Sequence, residues 1–506
     1  MIAHTIEKLL KYAQLHLNLS ELDKIYVRNI LMHKLKVATP CKELINDEEI
    51  KDMIVPDSLI EELKIYIKKE KIVEENDIEL FITEIMGDIT PMPSEVVKQF
   101  NSFDDKQKAF DYLYNLQIKN NYIQKTAVDK NILWTANFDD KYLELSINLS
   151  KPEKKNSDIA QSVASPKTSD EKYPKCLLCK ENLGFAGHAN HPARKNLRFI
   201  PTNLGGNPWF IQYSPYVYYD QHCIVIDSEH KNMTMGKEKF QKLLDFVDNF
   251  PCYFIGSNSE LPIVGGSILN HEHFQGGKHL LPITKAKDEL VFGCLNYDKC
   301  RLSYLNFFNS TLKLESEDKN QMLELMDTIY ETWKKYDDPS IDIISHDADG
   351  QHNTITPIVR KKDNTYIAYL VLRNNRVSSE YPDGIFHAHK EYHNIKSEGI
   401  GLIEASGLYI LPARLKRQLG EIENMLCHKN DIDLFIKENN DYEIHRKFIN
   451  DLINKYGRDN TIDEAHKIVV SEVNKICAEI LENTAVFKHT EEGKKHLIQF
   501  VNTIKK

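Results

Sequence analysis

The chain has 506 residues, with 65 Lys+Arg against 75 Asp+Glu, and at 28% charged and 41% hydrophobic its composition is that of a globular protein rather than a disordered one. A formal net charge of −10 excludes a general binder of nucleic acid or anionic membrane, because such affinity comes from Lys and Arg neutralising phosphates, yet it leaves room for a local basic pocket. At roughly 150 residues per domain the length suggests about three domains, and no window approaches the roughly 18 uninterrupted apolar residues of a membrane span.

The first residues, MIAHTIEKLLKYAQLHLNLSELDK, are charged and amphipathic, without an apolar signal region, so a cytosolic protein is expected. From Met1 to about Lys130 apolar residues recur at helical spacing, as in Ile6, Leu9, Leu10 and Ala13, then Ile60, Leu63 and Ile67, which predicts helices. This region carries no chemical motif, and a packing or dimer-forming role is expected for it. Over Lys141 to Leu149 the pattern changes to alternation, with Leu143, Leu145, Ile147 and Leu149 on one side, the signature of a half-buried strand. Lys151 to Lys172 is polar and reads as a surface linker. From Tyr173 to Asn309 the chain gathers aromatics, Gly, Asn and His around short strand-like runs such as His222 to Ile226. A helix is predicted around Asn320 to Tyr336, a strand over Tyr366 to Leu372, and amphipathic helices over Leu415 to Met425 and Ile462 to Leu481.

The most informative stretch is Gly265-Gly-Ser-Ile-Leu-Asn-His-Glu-His-Phe-Gln-Gly-Gly277. On a strand, His271, His273 and Gln275 would share one face, with Glu272 and Phe274 on the other. The flanking glycines let backbone N–H groups approach an anion. A neutral imidazole is a competent nucleophile toward phosphorus, and a carboxamide beside it can hold a phosphoryl oxygen. The same H-x-H spacing also suits half of a metal site; Gln275 and the paired glycines favour phosphorus chemistry. Phe386-His-Ala-His389 faintly echoes this motif.

Nine cysteines, an odd number scattered along a large chain, do not make a disulfide scaffold. Most, Cys294 among them, read as apolar fillers. Cys176-Leu-Leu-Cys179 alone suggests metal chemistry, with further ligands to come from His230 and one of His271 and His273. A redox pair is the rival, although the turn-forming Lys-Glu-Asn-Leu-Gly after Cys179 is unlike the helix start such a pair needs; plain cysteine packing is a third reading. Arg194, Lys195 and Arg198 supply cations that suit a diphosphate or, more blandly, a solvated loop. Trp209 to Tyr216 is aromatic enough to stack a base, and equally suited to a core.

Taken together, Cys176-x-x-Cys179, Glu181-Asn-x-Gly184, Asn190-His-Pro-Ala-Arg194, Phe210-Ile-Gln-Tyr-Ser-Pro-Tyr216, Gly256-Ser-Asn258, Leu261-Pro-Ile-Val-Gly-Gly-Ser-Ile268 and His271-Glu-His-Phe-Gln-Gly-Gly277 resemble the second, Firmicutes-type class of galactose-1-phosphate uridylyltransferase. Asn353-Thr-Ile-Thr-Pro357, Leu372-Arg-Asn-Asn375, Gly384-Ile-Phe-His387 and Leu411-Pro-Ala-Arg414 extend the resemblance toward the C-terminus. It implies an α+β fold of the histidine-triad superfamily: a mainly helical region over 1–140, a catalytic half over 141–315, and a second half over 316–506 that lacks the nucleophile, each half a sheet with packed helices. The implied reaction moves UMP from UDP-glucose to galactose 1-phosphate by double displacement, with His273 as the nucleophile and Gln275 steadying the phosphoryl oxygens. The implied substrate contacts are Asn258, Gly266 and Ser267, with Arg194, Asn196 and Arg198. The implied structural zinc ligands are Cys176, Cys179, His230 and His271, and no organic cofactor is implied. The better-known class has Pro between its two histidines where this chain has Glu272. Two alternatives remain: a nucleotide phosphorylase or hydrolase of the same superfamily, and a non-catalytic, zinc-stabilised sugar-nucleotide binding protein. The expected partners are the two small substrates and, for a homodimer, a second copy of the chain, with no nucleic acid and no membrane.

Overall fold

A computed structural model describes residues 2–150, 173–293, 296–429 and 431–504. The linker expected over Lys151 to Lys172 and Cys294 lie outside these residues. The chain forms two compact units, Met1–Lys130 with Lys154–Lys231, and Asn131–Glu153 with Asn232–Lys506.

The first unit opens with the helices the periodicity predicts: Ile2–His16, Glu21–Lys34, Asp57–Lys69, Ile78–Asp88, Pro93–Asn101, Lys106–Lys119 and the short Lys125–Val128. Their stripes turn inward, with Ile6, Leu9, Leu10 and Ala13 buried on the first helix and Ile60, Leu63 and Ile67 on the third. Each such Leu or Ile contributes roughly 1.5–3 kcal/mol. Side-chain oxygens of Ser20 and Asp105 cap two of the helices by accepting backbone N–H groups. The later part of this unit is an antiparallel meander of Ile200–Leu204, Asn207–Tyr213 and Cys223–Asp227. Its first turn is Gly205-Gly206, both at positive φ, the conformation a two-residue hairpin loop requires. Trp209 and Tyr213 are fully buried, and Tyr213 donates its hydroxyl to the Phe110 carbonyl at 3.0 Å, so these aromatics serve the core.

The second unit is built on antiparallel strands in the order His273–Gly277, Phe254–Gly256, Asn353–Lys362, Thr365–Asn374, Thr311–Ser316, Cys300–Leu305, Asp288–Phe292. Helices Lys237–Asn249 and Lys319–Trp333 pack on it. The buried indole of Trp333 donates to the Thr354 carbonyl at 2.9 Å and meets Phe500 of helix Glu491–Ile504 edge-on. A smaller sheet pairs Ile132–Phe138 with Lys141–Ile147 and adds Leu408–Leu411 in parallel. Lys141–Ile147 has a neighbour on both edges; Ser146 is buried along with Leu143, Leu145 and Ile147, and the expected alternation is lost at its end. Helices Arg414–Cys427 and Ile462–Thr484 pack together near the C-terminus. The fold is α+β, with mainly antiparallel sheets and a helical N-terminal region. No helix among the described residues is long and apolar enough to cross a membrane.

Candidate active site

The strand carrying the central motif begins at His273, two residues later than an imidazole, imidazole, amide ladder requires; His271 lies on the irregular approach to it. The alternation holds within the strand. Glu272 and Phe274 face the helix Lys237–Asn249, where Glu272 pairs with Lys239 at 3.7 Å and Lys242 at 3.5 Å, and the Lys239 ammonium sits 5.5 Å from the Phe274 ring centre. These three charged side chains are almost wholly buried, so the pairing fixes the back of the strand from within the core. His273 and the half-buried Gln275 are on the opposite face.

His273 is 7% exposed, and its Nδ1 lies 2.8 Å from the backbone oxygen of His271. A carbonyl oxygen only accepts, so Nδ1 carries the hydrogen and Nε2 presents its lone pair. Burial, with smaller contributions from Lys239 and His271 against the opposing backbone bond, lowers the imidazole pKa to about 4, which keeps the ring neutral near pH 7. The His273 N–H is directed at the Met233 sulfur at 3.4 Å. This is the tautomer a nitrogen nucleophile needs.

Gln275 stands opposite Gly256, and two residues beyond Gly256 the chain reaches Asn258, which is 5% exposed. The Asn258 Oδ1 accepts the Leu402 N–H at 2.8 Å. Its Nδ2 is therefore turned to Gly266, where an added Cβ would come within 2.5 Å of it. Glycine is required there by close approach. Ser267, next along, is exposed. The loop between is tight: a Cβ on Gly265 would lie 2.5 Å from the Leu261 carbonyl oxygen, and Ile263 adopts a φ of +72°, costly for a β-branched residue.

In the first unit the two cysteine sulfurs are 3.6 Å apart, and the Cys179 sulfur is 3.1 Å from Nδ1 of His230. The Leu178 N–H points at the Cys176 sulfur, and the Asn182 amide donates to the carbonyls of both Cys176 and Cys179, at 2.9 and 2.8 Å. His191 in turn contacts the Asn182 Oδ1 at 2.6 Å. The turn is thus shaped by its own hydrogen bonds. Burial pushes the Cys179 thiol up to about 11, the reverse of the activated thiolate a redox pair uses. Within this unit Cys176, Cys179 and His230 stand close enough to share a metal ion, and two sulfurs with an imidazole are donors that suit zinc.

The basic segment of the first unit divides into three behaviours. Arg198 is 4% exposed and gives its donors to the carbonyls of Pro91, Lys195, Leu197 and Thr90. Asn196, also buried, exchanges hydrogen bonds with Asn120 in both directions. Lys195 pairs with Asp88 at 3.1 Å. Arg194 is half-buried over the Tyr122 ring, with no carboxylate partner among the described residues. In the second unit His387 and His389 lie on a loop, not a strand. The His387 Nε2 accepts the Ile400 N–H at 3.2 Å, while His389 stacks on Tyr381.

Sequence reasoning did not single out Lys239, Lys242, Met233, Arg373 or Leu402, all of which contact the site residues or their supports. Lysines on an otherwise amphipathic helix and an arginine at a strand end look like surface charges until the sheet buries them.

A family model described as the N-terminal domain of galactose-1-phosphate uridyl transferase matches residues 19–232, and its C-terminal counterpart matches 245–446. A galactose-1-phosphate uridylyltransferase of Caldanaerobacter subterraneus subsp. tengcongensis is 42% identical, over 99% of this chain and 98% of that protein. One of Clostridium acetobutylicum is 41% identical over the full length of both, and one of Bacillus subtilis 39% identical over 99% of this chain and 98% of its own. The chain belongs to the galactose-1-phosphate uridylyltransferase family.

Proposed function

We propose that the protein exchanges UMP between UDP-glucose and galactose 1-phosphate, giving UDP-galactose and glucose 1-phosphate. The observation that carries this reading is the tautomer of His273: Nδ1–H bound to a backbone carbonyl and Nε2 bare on a buried strand. In the first half-reaction Nε2 forms a bond to the α-phosphorus of UDP-glucose while the bond from that phosphorus to the bridging oxygen breaks. Glucose 1-phosphate leaves with the electron pair. The uridylylated ring still holds its Nδ1 hydrogen and so gains a positive charge, which the His271 carbonyl stabilises. A phosphate oxygen of galactose 1-phosphate then attacks the same phosphorus and frees the imidazole. Holding one uridylyl group in place for two successive acceptors replaces a three-body encounter with two ordered ones.

The Gln275 amide steadies the phosphoryl oxygens, and Asn258, Gly266 and Ser267 line the diphosphate. Arg194 supplies a cation for it, and Asn196 and Arg198 hold the segment that follows Arg194 through the carbonyls of Asn120 and Lys195. Cys176, Cys179, His230 and His271 would hold zinc, which would supply structure and not chemistry. The reading keeps 141–315 as the catalytic half and 316–506 as the half without the nucleophile, with the helical region before 140 as the dimer-forming candidate, in a cytosolic enzyme.

Protein incubated with UDP-glucose labelled in its uridylyl phosphate should retain the label on His273, and adding galactose 1-phosphate should discharge it as UDP-galactose. Label retained by His273→Ala would overturn the assignment. Elemental analysis should give about one zinc per chain, and chelation should lower the melting temperature. A metal-free chain of unchanged stability would remove zinc from the reading.

A further inference from the structure

Arg373 is the one arginine of strand Thr365–Asn374, and it is 1% exposed. It has no carboxylate in contact among the described residues, since the neighbouring Glu404 is taken by Lys396 at 2.9 Å. Its Nη2 donates to the Ile400 carbonyl at 2.8 Å, and its Nη1 approaches the Thr356 hydroxyl at 3.5 Å. The N–H of the same Ile400 is bound by Nε2 of His387. One peptide unit on each side of Ile400 is thus gripped by a buried side chain.

Two residues further on, the Leu402 N–H binds the Asn258 Oδ1. Leu402 opens a single helical turn, Leu402–Ala405, where the first N–H groups have no partner within the helix. Its side chain packs against Gly256, where a Cβ would lie 2.4 Å from Leu402 Cδ1. On the other side of the amide, a Cβ on Gly401 would sit 3.0 Å from the Asn258 Oδ1. An amide flanked this closely has one useful orientation, because its oxygen must face the N–H donor and its nitrogen must face Gly266.

We infer that Ile400–Leu402, gripped by Arg373 and His387, sets the orientation of the Asn258 amide, which makes Arg373, His387 and Leu402 positioning residues of the uridylyl-transfer site. The inference rests on the function proposed above, in which Asn258 touches the diphosphate. It gives the part of the chain without a nucleophile a definite role, that of turning one N–H group toward the phosphoryl oxygens bound at Gly266 and Ser267.

Leu402→Pro tests it directly. Proline is favoured at the first position of a helix, and Gly401 has φ −85° and ψ −165°, a conformation compatible with a following proline, so the substitution removes the N–H donor without breaking the turn. Leu402→Ala loses side-chain packing but keeps the donor and serves as the control. Relative to Leu402→Ala, Leu402→Pro should lower kcat/KM for UDP-glucose by about tenfold, the effect of one misplaced hydrogen bond. In an Asn258→Ala background the two variants should agree within about twofold, because the amide they differ over is gone. Gly401→Ala, which presses a methyl on the Asn258 oxygen, is the second probe and should lose its effect in the same background. The same tenfold gap with and without Asn258 would overturn the inference while leaving the function intact. Wild-type protein that exchanges no UMP would overturn the function and the inference together.

Discussion

His273 and His387 are both buried histidines of an H-x-H pair in the same compact unit, and they are opposites chemically. At His273 the backbone offers an oxygen to Nδ1, which fixes the hydrogen there and leaves Nε2 bare. At His387 the backbone offers an N–H to Nε2, which uses the lone pair and leaves Nδ1 to carry the hydrogen, buried with no hydrogen-bond partner among the described residues. One ring is set up to attack phosphorus and the other to hold a turn. A histidine motif in a sequence therefore names candidates, and the backbone atom beside each ring decides which can react.

The comparison is broken most sharply at the rings themselves. His273→Ala should reduce exchange by on the order of 10⁴-fold or more, as removal of a covalent nucleophile does, and should abolish label trapping. Next in size is the back of the nucleophile strand. Glu272→Ala would leave the ammonium groups of Lys239 and Lys242 buried without their carboxylate, a loss of about 3–5 kcal/mol that urea denaturation would register. A change below about 1 kcal/mol would mean the two lysines reach water. His387→Ala should still trap the label on His273, while the half-saturating concentration of UDP-glucose rises about tenfold through slackening of the Ile400 turn. Loss of trapping would place His387 among the reacting groups and erase the contrast.

The smallest effect is a flat line. Because burial holds the His273 pKa near 4, the reactive neutral ring persists well below the ordinary histidine value of 6.5, and kcat/KM should show no histidine limb between about pH 5.5 and 7.5. An acid limb centred near 6.5 would show that His273 is solvated. The same depression has a sign for stability. Between pH 6.5 and about 4 the unfolded chain takes up a proton that the folded one refuses, so this group's contribution falls as the pH drops through that window.

Much of the chemistry is legible in the sequence because it is local. The alternation of His273, Gln275 and the glycines needs only the period of a strand, and the helical stripes before residue 130 need only the period of a helix. What the sequence does not disclose is non-local. Arg198 and Asn196 look like phosphate ligands until the carbonyls of Pro91 and Thr90, for the one, and of Asn120, for the other, are seen to occupy them. The period of the motif puts His271 on the strand, but the approach is irregular there, and its backbone oxygen is the acceptor that His273 uses. Leu402 carries no motif, and Arg373 stands in Leu372-Arg-Asn-Asn375 with nothing to mark its part, which depends on the Ile400 turn it meets in the fold.

The parallel partner of Lys141–Ile147 is Leu408–Leu411, far along the chain. During translation at roughly 5–20 residues per second, that inner strand waits tens of seconds for its second edge to be covered. A nascent or truncated chain that stops short of Leu411 displays an open ladder of N–H and C=O groups beside Leu143, Leu145 and Ile147, an invitation to pair with another copy. Such fragments should accumulate as aggregates, and the full-length product should gain solubility only once that last strand has been made.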